Sequence, residues 1–82
     1  MTQDIYLETA RHLLAEAMER PVEDVDMDVS LEKTAAWDSL AHVRLMMGLE
    51  ERLGRPLPAR EALGAVDLRS IAELLRRADE TK

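Results

Sequence analysis

Apolar residues recur at steps of three and four in three separate segments of this 82-residue chain. In residues 2–20 the face that they form consists of Leu7, Ala10, Leu14, Ala17 and Met18. In residues 39–53 it consists of Leu45, Met46, Leu49 and Leu53, and in residues 67–78 of Leu68, Ile71, Leu74 and Leu75. This spacing places the apolar residues along one side of a helix. The pattern therefore predicts three amphipathic helices, over about residues 2–20, 39–53 and 67–78.

The ends of the predicted helices carry residue types that favour such positions. The N-terminal caps are expected at Thr2 or Asp4, at Asp38 and at Asp67. Pro21 should end the first helix because it has no backbone N–H and restricts the residue before it. Gly54 suits the end of the second helix, since glycine readily adopts the left-handed conformation found there. Residues 59–63 are predicted to form one further, short helix.

Three main helices and one short helix make the expected fold all-α. We predict a small four-helix bundle with a long loop between the first two helices, in which residues 1–82 form a single domain. Trp37 and Tyr6 are the only aromatic residues, so the core should be aliphatic. Cysteine is absent, so neither a disulfide nor a thiolate metal site can form.

The connection over residues 21–38 is long for so small a domain. Acidic residues alternate here with Val25, Met27 and Val29, which is compatible with a short strand, but no second strand is evident as its partner. We predict instead a loop that is held on the core by Val22, Val25 and Leu31.

Aspartates at alternate positions from 24 to 28 give this loop the opening of a calcium-binding loop. The sixth position, which should be glycine, is Val29, and the twelfth, which should be glutamate, is Ala35. The chain's two histidines, His12 and His42, do not make a metal site by themselves. We therefore predict no metal site.

The net charge of −6 is unevenly distributed along the chain. Residues 1–38 contribute −7 and residues 39–82 contribute +1. An acidic protein repels the phosphate backbone, so the charge argues against a nucleic-acid partner. The sequence shows no signal peptide and no segment long enough to cross a bilayer, and we expect a cytoplasmic monomer that does not bind membranes.

The run Trp37-Asp38-Ser39-Leu40 stands where the long loop meets the second predicted helix. Ser39 falls in the first helical turn, where backbone N–H groups lack partners and the helix dipole is positive. A phosphate ester on this hydroxyl would be well tolerated. The alternative is that Ser39 is an ordinary capping residue.

The Asp38-Ser39-Leu40 triplet, together with the helix and loop lengths, resembles the attachment site of the acyl carrier protein family, whose members carry acyl, aminoacyl or peptidyl groups. The loop positions that match the family are Val25, Asp28, Ser30 and Leu31, and the helical matches are residues 40–53 and 68–75. The chain departs from the fatty-acid members at Ala41, His42 and Arg44, where those members carry acids. The departure suggests a dedicated set of partner enzymes.

The resemblance implies that Ser39 carries 4′-phosphopantetheine, framed by Asp38 and Leu40. In the family, a phosphopantetheinyl transferase moves this group from coenzyme A with the help of a magnesium ion. The arm ends in a thiol that holds acyl or aminoacyl groups as thioesters. The chain would then be no enzyme but a shuttle between a loading ligase and a downstream synthase or transferase. The pathway could be fatty acid, polyketide or nonribosomal peptide biosynthesis.

The resemblance also implies partner-contacting residues on the second helix. Leu40, Val43 and Met47 lie on a different face from the core stripe, and in the family such positions touch partner enzymes beside the serine. The alternative is that they are core residues, above all Met47. Glu50 and Glu51 match acidic positions that meet basic patches on partners; the alternative is a solvated helix face.

Two other functions can be read into the same residues. Asp38, Ser39 and His42 invite comparison with a hydrolase triad, but a small bundle offers little of the pocket that a triad needs. We therefore expect His42 to be an exposed helix residue and Trp37 to serve in packing. The main alternative function is a helical adaptor domain that binds a partner without any prosthetic group.

Overall fold

The computed structural model describes residues 4–80, and this range is helical with no β-strand. The helices in it are α1 (Ile5–Met18), a 3₁₀ helix (Val22–Asp24), α2 (Ser39–Leu53), α3 (Ala59–Gly64) and α4 (Leu68–Glu80). Three long helices and the short α3 confirm the predicted all-α bundle. The 3₁₀ helix was not predicted.

Helix α1 begins at Ile5 because the carboxylate of Asp4 accepts the backbone N–H groups of Tyr6 and Leu7, at 3.1 and 3.2 Å. Asp4 is thus one of the two predicted caps, and the other, Thr2, lies outside the described residues. The cap leaves few free amides at the start of the helix.

The predicted end of α1 at residue 20 is wrong by two residues. The helix ends at Met18 because Glu19 adopts a left-handed conformation, with a φ of 57°, and donates its N–H to the carbonyls of Ala15 and Glu16. This conformation turns the chain before Pro21 is reached. Pro21 instead precedes the 3₁₀ helix.

The ends of α2 and α4 follow the predicted signals more closely. Gly54, with a φ of 73°, follows the last residue of α2 and donates its N–H to the carbonyl of Glu50 at 2.8 Å. Asp67 caps α4 by accepting the N–H of Ser70 at 2.8 Å. Helix α4 runs to Glu80, two residues beyond the predicted end at 78, and α3 is one residue longer than predicted.

Helix α1 packs against both α2 and α4, and their apolar faces enclose the core. The largest fully buried side chains are Trp37, Leu14, Leu45, Leu49, Leu68, Ile71 and Val25. Met46 and Leu53, predicted for the same stripe of α2, are half-buried against this core. The core is therefore aliphatic around a single aromatic side chain, and its apolar surface supplies most of the driving force for folding.

The long connection is held by Val22 and Val25, as predicted, and also by Val29, which was not predicted, but not by Leu31. Val25 and Val29 are buried and Val22 is half-buried, whereas Leu31 is 37 % exposed. The Leu31 N–H donates to the carbonyl of Val66 at 2.8 Å, which ties the backbone to the start of α4 while the side chain remains outside the core. The prediction that Leu31 packs on the core is wrong for this reason.

Helix α3 is attached to the bundle differently from the three long helices. It contributes no buried residue and has no side-chain cap.

No helix in the described part of the chain has the length and hydropathy required to cross a bilayer.

Candidate functional site

Ser39 is the first residue of α2 and is exposed. The Asp38 carboxylate accepts the N–H of Ala41 at 2.9 Å, and the Asp38 carbonyl accepts the N–H of His42 at the same distance. The predicted cap at Asp38 is therefore confirmed. The N–H groups of Ser39 and Leu40 precede these two bonds and have no acceptor within the helix, so they remain available at its positive end.

Beside Ser39 lies a shallow surface depression of about 440 Å³, lined by Leu31, Trp37, Asp38, Ser39 and His42. Trp37 is only 2 % exposed, which confirms the predicted packing role. The chain is thus anchored in the core at Trp37, two residues before Ser39, while Ser39 itself is exposed.

His42 is half-buried and bonded at both ring nitrogens, so the prediction of an exposed residue is wrong. Its Nδ1 accepts from the Trp37 indole N–H at 3.1 Å, and its Nε2 lies 3.1 Å from the carbonyl oxygen of Ala62 in α3. An indole nitrogen can only donate and a carbonyl can only accept. The imidazole must therefore be neutral, with its proton on Nε2.

This arrangement excludes a hydrolase triad at Ser39. With Nδ1 facing Trp37 and Nε2 facing Ala62, neither ring nitrogen of His42 is free to take the serine proton. Ala62 is 20 residues away from His42 in the sequence and Trp37 is five residues away. Neither separation is the three or four residues that makes two side chains neighbours on a helix. No local sequence signal could have revealed either contact.

Leu40, Val43 and Met47 are 57, 54 and 63 % exposed, and we refer to these three residues as the outer face of α2. Helical spacing places them together, because residues three and four apart are neighbours on a helix. The alternative of a core position for Met47 is wrong. An exposed apolar strip beside an exposed serine has the character of a contact surface.

The two glutamates near the end of α2 differ in their surroundings. Glu50 is half-buried, and its carboxylate accepts the N–H of Leu57 at 2.9 Å, which ties the α2–α3 connection back onto α2. Glu51 is exposed. The structure therefore gives Glu50 a bond within the chain and leaves Glu51 facing solvent.

The residues at the start of α2 fit a phosphate ester on Ser39. The hydroxyl is exposed, two backbone N–H groups are free beside it, and the nearest carboxylate, that of Asp38, accepts from the Ala41 amide. Within residues 4–80, His, Asp and Glu side chains form no group of three or more that could hold a metal ion.

In a comparison with protein-family models, residues 8–75 match the family described as phosphopantetheine attachment site. The match extends from α1 into α4 and includes the whole of α2 with the exposed serine at its start. A search of curated proteins finds no match for the chain.

Proposed function

The chain belongs to the phosphopantetheine attachment-site family, and we propose that Ser39 is the residue to which 4′-phosphopantetheine is attached. Domains of this family are sites of covalent 4′-phosphopantetheine attachment, so the protein is in general terms a carrier protein.

The state of the chain's three serines is the observation that supports Ser39. The Ser30 hydroxyl accepts the N–H of Lys33, and the Ser70 hydroxyl accepts from Val66 and Asp67. Both residues are half-buried. Ser39 is exposed, and its hydroxyl makes no hydrogen bond within the described residues. It is therefore the serine whose hydroxyl a transferase can reach without breaking an existing contact.

The prosthetic group, when attached, supplies the thiol that this cysteine-free chain lacks, and this thiol holds acyl or aminoacyl groups as thioesters. Ser39 Oγ gives up its proton and forms the phosphoester bond with the phosphopantetheine phosphate, while the pyrophosphate bond of coenzyme A breaks and adenosine 3′,5′-bisphosphate leaves. The free N–H groups of Ser39 and Leu40 and the positive end of α2 stabilise the charge of the phosphate. Asp38 holds the turn in place through its bond to Ala41. The chain itself performs no chemistry on the cargo in this proposal.

The proposed partners are a phosphopantetheinyl transferase, a loading ligase, and a downstream synthase or transferase of fatty acid, polyketide or nonribosomal peptide biosynthesis. We propose that they contact the outer face of α2, next to Ser39, and that Glu51 adds a charged contact. Exposed methionine suits such a surface, because its flexible side chain adapts to several partners. The protein is proposed to act as a cytoplasmic monomer.

Intact-mass measurement tests the attachment residue. The protein is incubated with coenzyme A, Mg²⁺ and a broad-specificity phosphopantetheinyl transferase, and one added phosphopantetheine is expected. Ser39→Ala should abolish the addition, whereas Ser30→Ala, the same change at a half-buried serine of the long loop, should retain it. Folded wild-type protein that gains no mass would contradict the proposal and favour an adaptor without a prosthetic group.

A further inference from the structure

The position of α3 depends on a few polar contacts. The helix has six residues, none of them buried, and Pro58 before it provides no side-chain cap. Apolar burial therefore holds α3 mainly through the flanking residues Leu57, which is half-buried, and Ala65, which is fully buried, while Ala62 inside the helix is half-buried. A helix of this length is not stable without tertiary contacts.

Side chains of α2 and its C-terminal flank supply those contacts. Glu50 accepts the N–H of Leu57 just before α3, and the exposed Arg55 forms an ion pair with the half-buried Glu61 at 3.6 Å. His42 is the residue that reaches the last turn of α3, through its contact of 3.1 Å with the carbonyl of Ala62. An ion pair whose arginine is solvent-exposed contributes little, so the partly buried His42 bond should matter more.

The same imidazole also holds the turn that carries the proposed attachment serine. Trp37 stands two residues before Ser39, and its indole N–H donates to His42 Nδ1 while its ring stacks on the imidazole at a centroid distance of 6.1 Å. One side chain thus connects the loop end, the first turn of α2 and the last turn of α3.

We propose that His42 is a positioning residue, a proposal that rests on the proposed function of Ser39. The neutral, Nε2-protonated imidazole of His42 holds the Trp37–Ser39 turn and α3 in one fixed arrangement. The residue acts through Trp37 and Ala62 and takes no part in bond making at Ser39. A transferase then meets a preorganised turn, so that binding does not have to order it. Without His42, α3 and the turn should move independently of α1 and α4.

Two amide substitutions separate the two bonds. Asparagine places an acceptor oxygen near the position of Nδ1 and can retain the Trp37 contact, whereas glutamine can place an amide donor near Nε2 and retain the Ala62 contact. Leucine removes both. Trp37→Phe removes the indole donor from the other side and keeps an aromatic ring in the core. The matched control is His12→Leu, because the side chain of His12 is 63 % exposed.

The first measurements need no prosthetic group. NMR of the imidazole nitrogens should show His42 protonated on Nε2 at neutral pH. His42→Leu should raise amide hydrogen exchange in residues 59–64 by about tenfold, the effect of losing one such bond, and leave the centres of α1 and α4 unchanged. Glutamine should restore α3 protection, and asparagine should not. An Nδ1-protonated ring, or unchanged exchange in α3, would overturn the proposal.

Kinetics of Ser39 modification provide the functional test. His42→Leu should raise the KM of the transferase reaction several-fold with little change in kcat, and Trp37→Phe should raise it less. A fall in kcat alone, or wild-type kinetics, would contradict the positioning role. If His42→Leu does not fold, the glutamine, asparagine and Trp37→Phe variants decide the question. A wild type that the transferase cannot modify would refute the proposed function, and the exchange data would still test whether His42 holds α3.

Discussion

At the start of α2 one carboxylate stabilises the turn on which the proposed attachment residue stands. Asp38 accepts the N–H of Ala41, the contact expected of an N-terminal capping residue. Its negative charge also lies at the positive end of the helix. The position therefore combines a hydrogen-bonding role with an electrostatic one, and two substitutions can separate them.

Asp38→Ala should lower the free energy of unfolding by about 1 kcal/mol, because it removes the capping bond. Asp38→Asn keeps a capping oxygen without the charge, so its stability should stay within about 0.5 kcal/mol of the wild type. Urea denaturation followed by circular dichroism measures both. Equal losses for the two variants would mean that the charge, and not the hydrogen bond, stabilises the turn.

Residue-level predictions succeed here where the physical cause is local in the chain. The capping roles of Asp4, Asp38 and Asp67 depend on amides only two or three residues away, and all three are confirmed. His42 could not be predicted, because Ala62 comes near it only after α3 has folded onto α2. The bond from Glu50 to the Leu57 amide likewise requires the turn between the two helices.

At the level of the helices, α1 and α2 both end with a residue in the left-handed conformation, but the two residues differ in how well they tolerate it. Gly54 adopts its positive φ without strain, whereas Glu19 adopts a φ of 57° with a side chain that disfavours it. The predicted end of α1 was wrong because glutamate is an unusual residue in this conformation, and Pro21 is a stronger sequence signal. The apolar periodicity predicted that α1 is a helix, but it did not predict the residue at which α1 ends.

Exchanging the two residue types should shift stability in opposite directions. Glu19→Gly should raise the free energy of unfolding by about 0.5–1 kcal/mol, because glycine adopts the left-handed conformation without strain. The substitution also removes an exposed ion pair with Arg44, which contributes less. Gly54→Ala should lower the free energy of unfolding by about 1 kcal/mol. A Cβ at position 54 would meet no atom within 4 Å, so the effect there is that of the backbone alone.

Urea denaturation of both variants measures these shifts, with Glu19→Gln as the control that removes the charge and keeps the strained conformation. Destabilisation by Glu19→Gly would show that the ion pair with Arg44 outweighs the backbone strain.

On the scale of the whole molecule, one hydrogen bond joins the beginning of the bundle to its end. The hydroxyl of Tyr6 in α1 donates to the carboxylate of Asp79 in α4 at 2.8 Å. This hydrogen bond to Asp79 is the main cause that raises the pKa of Tyr6 above its ordinary value. The contact contributes to stability only while the tyrosine is protonated.

The pH dependence has a definite sign. Because the pKa of Tyr6 is raised on folding, its contribution is fully present below the ordinary tyrosine pKa of about 10 and is lost as pH rises through the raised value. Tyr6 is the only tyrosine, so tyrosinate absorbance follows it directly. Asp79→Asn should bring the Tyr6 pKa back towards its ordinary value. In Tyr6→Phe the stability should depend less on pH in this alkaline window.

The bundle as a whole divides α2 into a side that packs in the core and a side that is exposed to solvent. Leu45 and Leu49 face the core, while Val43 and Met47 are more than half exposed. Leu45→Ala should therefore lower the free energy of unfolding by about 2–5 kcal/mol. For a domain with a total stability of about 5–15 kcal/mol, that is a large fraction.

Met47→Gln, by contrast, should change stability by no more than about 0.5 kcal/mol, because the side chain already lies in solvent. If partners dock on the outer face of α2, the same variant should lower the kcat/KM of Ser39 modification, since it removes apolar contact area at the interface. Glu16→Gln, at an exposed residue of α1, is the control, and both quantities should stay at the wild-type level there. A Met47→Gln protein of normal stability that is modified at the normal rate would place the transferase on another surface, because the exposed apolar strip would then contribute nothing to recognition.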